Sequence, residues 1–198
     1  MRVNSRWFKA GTERSAGEIG GAAAFIAFRI ARNTQNGLRK AGFALPADST
    51  YFAVLAELLA FLVCAADRLA QQRDDAGWRA EFVNALANRA GAILADNEAE
   101  LLGGEDAARR KERFIALVNA RAVDYAACGW RDGPDYAFLR CAGHRVGDAM
   151  APGERTWAVP QMIEIEAPEA IATLQRALRG LLDRRPRRAP AAEAAHGE

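Results

Sequence analysis

The chain has 198 residues, 51% of them apolar and 26% charged, with a formal net charge of +2. That length serves one domain with a substantial core, and the balance is ordinary for a soluble globular protein. From residue 184 onward there are four Arg and two Glu, a net +2 equal to the whole formal charge, so the rest of the chain is neutral and carries no obvious nucleic-acid footprint.

Ala dominates the apolar set, while aromatic and β-branched residues are sparse, which favours helix over strand. Lys occurs only at Lys9, Lys40 and Lys111, the remaining basic residues being Arg. Guanidinium forks suit phosphate, but the composition as a whole reads as that of a bacterial genome rich in Ala and Arg codons. Cys64, Cys128 and Cys141 are odd in number and form no CxxC, which fits a reducing cytoplasm better than a disulfide framework.

Residues 1–14 read as an N-terminal arm. Glu13, Arg14 and Glu18 interrupt the approach to the first apolar run, AAAFIAF, so no signal peptide is expected. The first helix starts near Ser15, with Glu18 three positions on in a capping-box pattern, and its stripe is Ile19, Ala23, Ile26 and Ile30, ending by Gly42. Ser49 or Thr50 caps a second helix. Its run YFAVLAELLAFLVCAA, residues 51–66, is short for a bilayer, contains Glu57 and is apolar nearly all round, which marks a helix central to a bundle.

After QQRDDAG, a third helix carries Trp78, Phe82, Leu86, Ile93 and Leu94. LLGGED stops it. The fourth helix has Phe114, Leu117, Val118, Arg121 and Tyr125 on one face, and the fifth runs from about Tyr136 to Met150. AVPQMIEIEA alternates apolar and acidic residues and reads as a short extended segment, after which Pro168 opens a sixth helix with Ile171, Leu174, Leu178, Leu181 and Leu182. RRPRRAPAAEAAHGE has no large apolar residue and reads as a disordered tail. The expected fold is all-α: a single-domain bundle of about six helices over residues 15–183, with a tail at 184–198.

Three constellations could carry chemistry. Cys141, His144 and Asp148 stand at helical spacing and offer a thiol, an imidazole and a carboxylate to one face, a weak thiol or metal candidate. A structural zinc site would present paired cysteines, which are missing, so no metal and no cofactor are expected. Glu57 among apolar neighbours requires a partner, since an isolated buried charge is costly. Arg121 and Arg68 are the candidates, and Glu57, Arg121 and Tyr125 together are candidate pocket residues. ARRKER at 108–113 and RRPRR at 184–188 are the only basic runs, diluted or short, and nucleic acid is not the expected partner. The P-loop, dinucleotide and nucleophile-elbow motifs are absent from the sequence.

These features favour a non-catalytic interaction or assembly protein, self-associating as a homodimer through the excess apolar surface of the second helix and the small residues of the first. A small-molecule binder or enzyme with a polar pocket around Glu57 is the alternative, and a helical nucleic-acid regulator a further one. A pocket lined by Glu57 separates the first two readings.

Overall fold

The computed structural model describes residues 14–182 apart from 74 and 105. The arm up to residue 13 and the tail from 183 lie outside the described residues. The described residues fold into helices joined by short loops: α1 (Ala16–Lys40), α2 (Ser49–Ala70), α3 (Ala76–Leu102), α4 (Ala107–Ala126), α5 (Tyr136–Ala149), α6 (Pro152–Gln161) and α7 (Ala167–Leu182). A π-helical turn, Met162–Glu166, joins α6 to α7 without a break, so the bundle has six helical rods among the described residues.

The helix starts follow local chemistry. Ser15 and Glu18 form the reciprocal capping box, each side chain accepting from the other's backbone N–H at 3.1 Å. Asp48, Asp75 and Asp135 cap α2, α3 and α5 through side-chain oxygens that accept N–H groups of the first turn. Asp48 thus takes the capping role expected of Ser49 or Thr50. Gly103 and Gly104, with φ of 64° and 83°, turn the chain between α3 and α4 in a conformation that L side chains resist.

α2 is the axis. Leu55, Leu58, Leu59, Leu62, Val63, Ala65 and Ala66 are buried, and α1, α3, α4, α5 and α7 all pack on it. The helix is longer than the apolar run alone suggests. With the short 3₁₀ turn after it, residues Ser49–Arg73 would be long and apolar enough to cross a membrane, but 67% of the apolar 18-residue stretch within them is buried by the other helices. Most of the apolar surface of α2 is therefore packed within one chain. The small-residue surface of α1 is used internally too. Gly20 sits so close to α3 that a Cβ there would overlap the Phe82 carbonyl oxygen and lie 2.9 Å from the Ala85 Cβ.

One element departs from expectation. The segment AVPQMIEIEA is helical, and the last rod starts at Pro152 instead of Pro168. Met162 and Glu166 point inward and Ile165 outward, a helical and not an alternating pattern. Pro168 has no N–H to return to the preceding turn, and the π turn just before it shifts the hydrogen-bond ladder by one residue where that donor is missing.

Candidate functional site

In the stretch from Phe138 to Met150 the three candidate side chains have separate surroundings. Asp148 Oδ1 pairs with Arg155 Nη2 at 2.8 Å, His144 is exposed, and Cys141 is half-buried. Burial pushes the Cys141 thiol up from its ordinary range, with the Asp124 carboxylate adding to the effect. A raised thiol pKa means little thiolate, the opposite of an activated nucleophile. No group of three or more His, Cys, Asp or Glu among the described residues is placed to hold a metal ion. What this helix provides is packing: Gly143 and Gly147 lie against Ile163 and Val159 of the last rod.

Glu57 does find a partner, and it is Arg121. Arg121 Nε donates to Oε2 at 2.8 Å and Nη2 donates to Oε1 at 2.6 Å, a bidentate fork. The side chains are 11% and 16% exposed. Hydrogen bonding to Glu57 makes the Arg121 guanidinium hold its proton more tightly than usual. Arg121 Nη1 reaches Asp124 at 3.3 Å, and Asp124 takes Arg145 at 2.8 Å, giving a chain of alternating charges along α2, α4 and α5. Arg68 goes elsewhere: its Nη2 donates to the carbonyl oxygens of Tyr125, Ala126 and Cys128, where α4 ends. Tyr125 is buried among Phe61 and Phe138, with ring centroids 6.2 and 4.5 Å away.

Glu57 also faces a groove of about 490 Å³, open to solvent, between α2, α3 and α4. The N-terminal half of α2 supplies one wall through Ser49 and Ala53, which are exposed, and Ala56 and Glu57, which are partly covered. Their spacing puts them on one helix face, and the two alanines leave the space that larger side chains would occupy. Phe52, Leu94, Phe114 and Leu117 supply apolar surface. Glu98 of α3 stands opposite, bound by Arg110 and Arg113 of α4, each at 3.0 Å. Arg110 is itself buried and donates to the Gly103 carbonyl oxygen.

Sequence reasoning found Glu57 and its partner but not the groove's other residues. Arg110 and Arg113 belong to the ARRKER run, read as a diluted basic patch, whereas the fold engages both with Glu98. Tyr125 lies apart from the groove and lines a second hollow of about 270 Å³, beside Cys64 and the Asp67–Arg79 pair. Comparison with known protein families, characterised proteins and solved structures yields no match.

Proposed function

We propose that this protein binds a small molecule in the groove between α2, α3 and α4. The observation that carries the reading is the groove itself: a concavity of about 490 Å³ that Glu57 lines, apolar in most of its surface, with a few fixed polar groups at its edges. Those are the size and make-up of ligand sites in general. The Glu57 carboxylate is fully engaged by Arg121, which supports a binding site over an acid–base centre. The test uses N-phenylnaphthylamine, whose fluorescence rises in apolar surroundings. Its emission should increase with the intact protein and fall back with Ala53→Phe, which fills the groove. Equal enhancement by both proteins would remove the reading.

A second reading, self-association as a homodimer, draws on a different surface from the one first expected. Trp157 is 71% exposed and Ile165 45%, with Pro160 exposed between them on the last rod. Exposed apolar groups gathered on one face favour a protein contact. Light scattering should then report a dimer that Trp157→Ser disperses, and a monomer at micromolar concentration would end this reading.

A further inference from the structure

We infer that the occupant of the α2–α3–α4 groove is an uncharged molecule with an apolar body, held by burial and not by ion pairing. This rests on the binding reading above and adds the chemical class of the ligand. Each charged side chain on the groove wall is committed to another part of the protein. Glu57 is held by both forks of Arg121, whose third donor nitrogen goes to Asp124. Glu98 is held by Arg110 and Arg113. An anionic ligand reaches these guanidiniums only by displacing Glu57 or Glu98, and a cationic one reaches the carboxylates only by displacing an Arg. Either exchange strands a charge in a wall where Glu57, Glu98 and Arg110 are largely shielded from water. An uncharged ligand leaves both clusters intact and covers the apolar surface left open at Ala53, Ala56 and Leu117.

Calorimetric titration of the full chain with naphthalenemethanol, naphthoate and naphthylmethylammonium tests this, because the three share a ring system and differ in charge. The alcohol should bind about tenfold or more tightly than either ion. Ala53→Phe should remove its binding while the circular dichroism of the helices stays unchanged. An ion that binds as tightly as the alcohol, or more tightly, overturns the uncharged class and leaves the groove reading standing. No binding of any of the three, or undiminished binding in Ala53→Phe, overturns the groove reading and the inference with it.

Discussion

Arg121 and Glu57 meet across 64 residues of sequence through two parallel hydrogen bonds of 2.8 and 2.6 Å, tying α4 to the central helix. The pair is mostly shielded, so losing one member costs more than the intact pair itself contributes, because the other charge is left behind. Truncating Glu57 strands a guanidinium that retains only Asp124. Glu57→Ala should therefore cost about 2–3 kcal/mol, below the full penalty of an orphaned buried charge because that second partner remains. Glu57→Gln should cost less, since it keeps one acceptor. Urea denaturation of the three proteins measures both, and indistinguishable midpoints would show that the pair adds nothing.

Glu166 gives a stability dependence of opposite sign to that of most carboxylates. It is buried against Gly37 of α1, and its visible hydrogen-bond donor is Gln161 Nε2 at 3.3 Å. Burial raises its pKa above the ordinary value of 4.5, Gln161 opposes the shift, and Glu169 reinforces it. The folded state thus holds its proton more tightly than the unfolded state. Stability from this group is full below the unfolded value, declines as pH rises through the folded value, and is flat above that. Glu166→Gln should raise stability by about 1 kcal/mol in neutral buffer and little in acid. Thermal melts at the two conditions check it, and an unchanged or lowered midpoint in neutral buffer would count against it.

Two adjacent glycines in α1 should respond in opposite directions. At Gly20 a Cβ would run into the backbone of α3, so Gly20→Ala should cost about 1–3 kcal/mol through forced separation of the helices. At Gly21 nothing lies within 4 Å of a Cβ, so Gly21→Ala should stabilise by about 0.5–1 kcal/mol through helix propensity. Equal effects at both sites, by chemical denaturation, would mean that α1 and α3 do not pack this closely.

The three thiols should differ from a reactive set. Burial, with Asp67 adding to it, pushes Cys64 up to about 12, and Cys128 and Cys141 are also raised. Native protein at neutral pH should therefore take up iodoacetamide slowly at Cys128 and Cys141 and not at Cys64, with all three labelled after unfolding. Mass spectrometry reads the sites directly. His144→Ala should change stability by less than about 0.5 kcal/mol, as for other exposed positions. Elemental analysis showing stoichiometric zinc, lost in that variant, would restore Cys141 and His144 as a site.

Local chemistry was legible in the sequence because it acts over three or four residues. The capping box at Ser15 and Glu18, the stop at Gly103–Gly104 and the all-round apolar second helix each follow from neighbours along the chain. The need of Glu57 for a cation was equally legible, since burial of a lone carboxylate is prohibitive wherever it occurs. Arg121 rather than Arg68 is a tertiary outcome: the end of α4 presents three carbonyl oxygens to Arg68 and turns Arg121 toward α2. The helical state of AVPQMIEIEA was hidden because its apolar residues satisfy alternation over five positions, while packing of Met162 and Glu166 against the bundle selects the helical spacing. The groove was hidden for a related reason. Ala53 and Ala56 read as ordinary helix formers, and only the placement of α3 and α4 leaves the space above them unfilled and turns Glu98 and the ARRKER arginines into its opposite wall.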